Sequence, residues 1–141
     1  MIDVENYVVD KIKSLMADAM PAVRVIGSHV RTPSEFPCVM IYESANNTFE
    51  GTRWIDGIER HAEIRFTVEV CTNDRTGKKE HAKKISEAID NEMQRMGFFR
   101  ASRSYTFGTA ESSIFIVMSA YRGLVGEGSG DDENSMYVYR R

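Results

Sequence analysis

Between Arg60 and Cys71 the chain alternates apolar and polar positions with a period of two. Ala62, Ile64, Phe66, Val68 and Val70 fall on one side, and His61, Glu63, Arg65, Thr67 and Glu69 on the other. That spacing predicts a long strand with one dry and one wet face. Because the wet face carries charges of both signs, the surrounding sheet is expected to be antiparallel and covered on one side only.

The other periodic segments arrange themselves around this strand. Val8, Ile12, Leu15, Met16 and Ala19 recur at helical spacing between Asp3, a candidate N-cap, and Pro21, so a first amphipathic helix is expected there. Val23 to Val30 is short, β-branched and interrupted by Gly27, the pattern of a strand with a kink or bulge. Phe36 to Tyr42 is apolar on both faces and reads as a central strand entered through Pro37. A second helix should start at Lys78, bury Ala82, Ile85, Ile89, Met93 and Met96, and stop at Gly97 as a left-handed cap. Phe98 to Phe107 and Ser112 to Val125 predict a hairpin turning near Gly108, and Met136 to Tyr139 has the composition of a strand returning to a sheet edge.

Ser44 to Glu59 is too long for a tight turn, and Phe49, Trp54, Ile55 and Ile58 make it too apolar for an idle loop; an extended β-arm fits better. An isolated arm has no core in which to bury these rings. Phe49, Arg53, Trp54, Ile55 and Ile58 are therefore candidate contacts with another subunit or partner, the alternative being an arm folded back on its own domain. The element order is α-β-β-β-α-β-β. The expectation is a single α+β domain: a mainly antiparallel, twisted sheet with two helices packed on one face and a protruding arm.

Composition narrows the functional classes. The chain has 141 residues, 42% of them hydrophobic and 28% charged, enough for one domain with a proper core. A formal charge of -3 with scattered basic residues argues against a bulk electrostatic grip on DNA. Two cysteines, Cys38 and Cys71, both within predicted strands, make no disulfide framework and suit a reducing cytoplasm. No apolar run is long enough to span a bilayer and the first residues lack a basic leader, so a soluble, unprocessed protein without a membrane partner is expected.

Candidate chemistry is sparse. His29, His61 and His81 lack the short spacings of a zinc site, and Cys71 with His81 has no oxyanion-binding loop beside it to complete a thiol enzyme. Glu127, Asp131, Asp132 and Glu133 lack the alternating ligand spacing of a calcium loop and read as a flexible acidic loop over 126–134. Neither a metal nor a cofactor nor a catalytic group is expected. Lys78, Lys79, Lys83 and Lys84 crowd the first turns of the second helix, where its dipole disfavours them. They form either a solvated face, with Glu80 and Glu87 pairing locally, or a surface meeting acidic groups of a neighbouring subunit or nearby nucleic acid. Tyr137 and Tyr139 in the tail are further candidate interface residues.

The element order, the Phe36-Pro37-Cys38-Val39 strand start and the Gly97-Phe98 pair after the second helix together resemble the tail terminator, or tail-completion, proteins of long-tailed bacteriophages, over about Asp3 to Val125. The resemblance implies a subunit of a ring, usually of six, on the head-proximal end of the tail tube in the virion neck. Implied partners are further copies of the chain, the tail tube protein and a head-tail connector or head-completion protein, with genome DNA passing through the channel without sequence-specific binding. The alternatives are another neck protein, such as a head-closure or connector-adaptor subunit, and a small α+β nucleic-acid-binding module.

Overall fold

A computed structural model of the chain describes residues 2–50, 61–107, 113–127 and 136–139. The elements are α1 (Glu5–Ala19), β1 (Arg24–Ile26), β2 (Cys38–Thr48), β3 (His61–Thr72), α2 (Lys78–Arg95), β4 (Phe99–Phe107), β5 (Phe115–Glu127) and β6 (Met136–Tyr139). The strands form one sheet in the order β1-β2-β3-β5-β4, with β6 also pairing β5. Among the described residues the β1–β2 pair is parallel, and β2–β3, β3–β5, β4–β5 and β5–β6 are antiparallel. The α+β class and the order of its first seven elements are those expected from the sequence.

The alternating strand is β3, at the centre of the sheet. Its dry residues Ala62, Ile64, Phe66, Val68 and Val70 join Val39 and Ile41 of β2, and Val117, Tyr121 and Val125 of β5, in one core. Both helices press their apolar stripes onto this same face: Val8, Val9, Ile12 and Met16 from α1, and Ala82, Ile85, Ile89 and Met93 from α2. Each aliphatic or aromatic side chain buried this way contributes about 1.5–3 kcal/mol, so this two-layer core is the main source of stability.

Helix ends follow local chemistry. Gly97 takes φ 99°, and the Gly97 and Phe98 amides donate to the carbonyls of Gln94 and Met93. That pair of bonds closes a Schellman cap and drops Phe98 into the core, edge-on to Phe66 at 5.3 Å. At the other helix, Val4 occupies the N-cap position rather than Asp3, but the Asp3 carboxylate still accepts the Glu5 amide at 3.0 Å.

Three boundaries differ from expectation. β1 stops at Ile26, where a side chain on Gly27 would meet Cγ1 of Val9 at 3.3 Å; the glycine admits α1 close to the strand. β2 begins at Cys38, after Pro37, and runs on through Asn46 and Asn47 to Thr48, because β3 offers a ladder partner for every residue but the bulged Ser44. The segment expected to form the arm thus contributes its first part to the sheet, and 51–60 lies outside the described residues. The tail strand pairs with its own β5, Tyr137 opposite Gly126 and Tyr139 opposite Leu124.

Residues 27–37, linking the parallel strands, cross the face of the sheet opposite the helices. There the Val30 amide lies 3.2 Å from Sδ of Met40, and Ile26 and Phe36 pack on a second small core of Cys38, Met40, Cys71 and Ile114. One end of the outer face is therefore covered, while the end bearing Arg65, Arg122 and Phe99 is half-buried or exposed.

Candidate assembly surface

The margin of the sheet at β4 is organised around Asp90. This residue follows Ile89 on α2 and sits at the flank of the buried stripe, 9% exposed. Its Oδ1 accepts the Tyr121 hydroxyl at 2.8 Å and Nη1 of Arg100 at 3.2 Å, while Oδ2 accepts Nε2 of Gln94 at 2.8 Å. Nη2 of Arg103 lies 3.7 Å away, and Nε of the same side chain donates to Oγ of Ser119 at 3.1 Å. α2, β5 and β4 are thereby tied through one carboxylate. Burial, reinforced by hydrogen bonding to Asp90 and by its charge, pushes the Tyr121 hydroxyl up to about 12.

Beside this cluster the margin is basic and aromatic. Nζ of Lys83 stands 5.2 Å from the centre of the Tyr105 ring, which stacks on Phe115 at 6.3 Å. Tyr105 is 47% exposed. Lys79, one turn before Lys83 on the same side of α2, is exposed, and Lys78 is half-buried with its carbonyl accepting the Thr72 hydroxyl at 2.8 Å.

The opposite margin is acidic. Oε2 of Glu5 accepts the Glu43 amide at 2.7 Å, which seats the start of α1 along the part of β2 beyond β1. Asn46 clamps the same corner, its Nδ2 donating to the Ile2 carbonyl at 2.7 Å and to Oε1 of Glu43 at 3.2 Å. Burial, followed by the charges of Asp3 and Glu5, raises the Glu43 carboxyl above its ordinary value. A groove of about 480 Å³ runs along the solvent side of α1, lined by Asp3, Asn6, Tyr7, Asp10, Lys11 and Ser14.

On the outer face, Glu69 departs from the expectation of a wet position: it is 4% exposed. Nδ1 of His29 lies 2.8 Å and the Tyr42 hydroxyl 3.3 Å from its Oε2, so the crossing segment both covers the carboxylate and supplies its partner. Further along, Arg65 and Arg122 are direct cross-strand neighbours with Phe99 beside them. The Arg122 guanidinium lies 5.2 Å from the Phe99 ring centre, and Arg65 reaches Glu63 at 3.4 Å.

Cys38 and Cys71 stand opposite each other on β2 and β3, both buried as free thiols. Burial, with the neighbouring Cys38 and Glu69 adding to it, pushes the Cys71 thiol up to about 12, which leaves it protonated and a poor nucleophile. His81 is turned to Asp74 at 3.0 Å. Among the described residues no group of three or more His, Cys, Asp or Glu is placed to hold a metal ion, and no helix is long and apolar enough to cross a membrane.

Of the candidate interface residues, Phe49 is half-buried with its amide donating to the His61 carbonyl at 2.8 Å, at the end of the β2–β3 ladder. Arg53, Trp54, Ile55 and Ile58 lie outside the described residues, as do Asp131, Asp132 and Glu133; Glu127 is the last residue of β5. Lys78 and Lys79 sit at the start of α2, near the β4 margin, and Tyr137 and Tyr139 extend the same side of the sheet through β6. Sequence reasoning missed the Asp90 cluster. Its signal was a charged residue beside Ile89, four positions after the buried Ser86, followed by two arginines on the next strand.

No protein-family model matches the chain, and no curated protein matches it.

Proposed function

We propose that this protein is a structural subunit that assembles into a ring, caps the tail tube of a long-tailed bacteriophage, stops its growth and joins it to the head connector. The observation that carries the reading is the one-sided architecture: two helices cover one sheet face, while β4 ends the sheet as a nine-residue strand with exposed Tyr105 and Phe99. A terminal strand of this length is a template for contact with another chain unless it is covered. A head-to-tail contact whose rotation closes gives a ring, and a ring whose two faces differ can bind a tube end without offering a new growing end.

The test is addition of the purified protein to a tail tube protein during polymerisation, followed by negative-stain imaging. Tubes of limited length bearing a ring at one end are expected. Unchanged tube lengths with no density at either end would reject the proposal. Binding to connector-bearing heads in the absence of tubes would instead favour a head-closure subunit.

A second reading has its own observation. Arg65, Arg122 and Phe99 form a basic and aromatic patch on the open part of the outer face, which suits the backbone and bases of a nucleic acid. A mobility shift with single-stranded or duplex DNA that weakens as salt rises, and is lost in Arg122→Ala, would support that role.

A further inference from the structure

The two lateral margins of the molecule differ in charge as well as in shape. At one, Lys83 of α2 stands over the exposed ring of Tyr105 on β4, Lys79 lies one turn before it, and Arg100 sits further along β4 beside Asp90, with Glu87 an opposing charge one turn after Lys83. Asp90 is already engaged by Arg100 and Tyr121, so it leaves the lysines available to an outside partner. At the other, Asp3 and Asp10 stand exposed along the α1 groove, and Glu5 and Glu43 crowd the corner where α1 meets β2; the cations there are Lys11, 5.6 Å from the Tyr7 ring centre, exposed Lys13, and Arg24 of β1, which is paired with Glu35. Sheet order puts these margins at opposite ends, since β1 and β2 lie at one side and β4 at the other.

We infer that copies of this chain associate head to tail, the α2/β4 margin with Lys79, Lys83 and Tyr105 docking on the α1 margin with Asp3, Asp10 and Tyr7 of the next copy. The inference rests on the proposed ring and names the surfaces that build it. Complementary charge on opposite ends of one subunit favours a heterologous contact and disfavours a two-fold one, in which like margins would meet. Burial is the main cause of the raised Glu43 carboxyl, and the charges of Asp3 and Glu5 add to it, a repulsion that a partner's lysines would offset. Exposed aromatics at both margins, Tyr7 at 39% and Tyr105 at 47%, supply the apolar anchors that charge alone lacks.

Sedimentation velocity of the full chain at low and high salt, on the wild type, two double variants and their mixture, tests the inference. The wild type is expected to form closed oligomers at low salt that weaken as salt rises. Lys79→Glu with Lys83→Glu, and separately Asp3→Lys with Asp10→Lys, should each raise the concentration needed for assembly by about tenfold or more, with circular dichroism showing both folded. An equimolar mixture of the two variants restores complementarity at every contact and should recover the oligomer. If both variants assemble like the wild type, or if each fails and the mixture stays monomeric, the pairing of these margins is wrong while the ring survives. A wild type that forms no oligomer, free or on tube ends, would overturn both.

Discussion

Asp90 shows how much a single carboxylate decides. Placed at the edge of an apolar helix stripe, it would be costly there without partners, yet Tyr121, Arg100, Arg103 and Gln94 surround it. Tyr121→Phe removes the 2.8 Å hydrogen bond while keeping the ring, and should lower unfolding free energy by about 2 kcal/mol in urea titrations at neutral pH. The same residue sets an alkaline limit. Its ordinary value is 10.0 and the fold raises it to about 12, so the folded state holds the proton longer than the unfolded chain. That contribution is complete below pH 10 and is lost as pH climbs toward 12. Cys71, raised from 9.0 to about 12, adds a loss that begins one unit earlier. Stability measured from neutral to alkaline pH should therefore fall above pH 9, and the fall above pH 10 should be shallower in Tyr121→Phe.

At the scale of elements, α2 and β4 depend on one turn between them. Gly97 at φ 99° both ends the helix and aims Phe98 at Phe66. Gly97→Ala forces a side chain into a left-handed backbone and should cost about 1 kcal/mol, read as a lower denaturation midpoint with an unchanged slope. This cap was legible beforehand because it needs only a helical stripe followed by glycine. The strand β3 was equally legible, since its period of two places Ala62 to Val70 on one side whatever the rest of the chain does. The far end of β2 was not legible in the same way: Asn46 and Asn47 fell within the segment expected to form an arm, yet the ladder with β3 keeps them in the strand. Local propensity was outweighed by pairing with a partner that short-range pattern does not reveal.

For the whole molecule, the proposed assembly makes a prediction about Trp54 that its sequence context carries. An aromatic flanked by Arg53 and Ile55 in the segment between β2 and β3 should contribute to contacts with a neighbour, so Trp54→Ala should weaken oligomers in sedimentation while leaving the circular dichroism spectrum unchanged. An oligomer of unaltered strength would remove that segment from the interface and leave the charged margins to be judged by their own variants.

The sequence by itself determined the two amphipathic helices, the alternating centre of the sheet and the glycine cap, because each follows from spacing among near neighbours, and the order of these elements along the chain set the α+β class. Tertiary structure alone decided the rest. The covering of Glu69 by residues 27–37, the meeting of Arg65 with Arg122, the reach of the Tyr121 hydroxyl to Asp90 and the separation of basic from acidic margins join residues far apart in the chain. Such encounters depend on strand order and register, and a local pattern of polar and apolar positions carries neither.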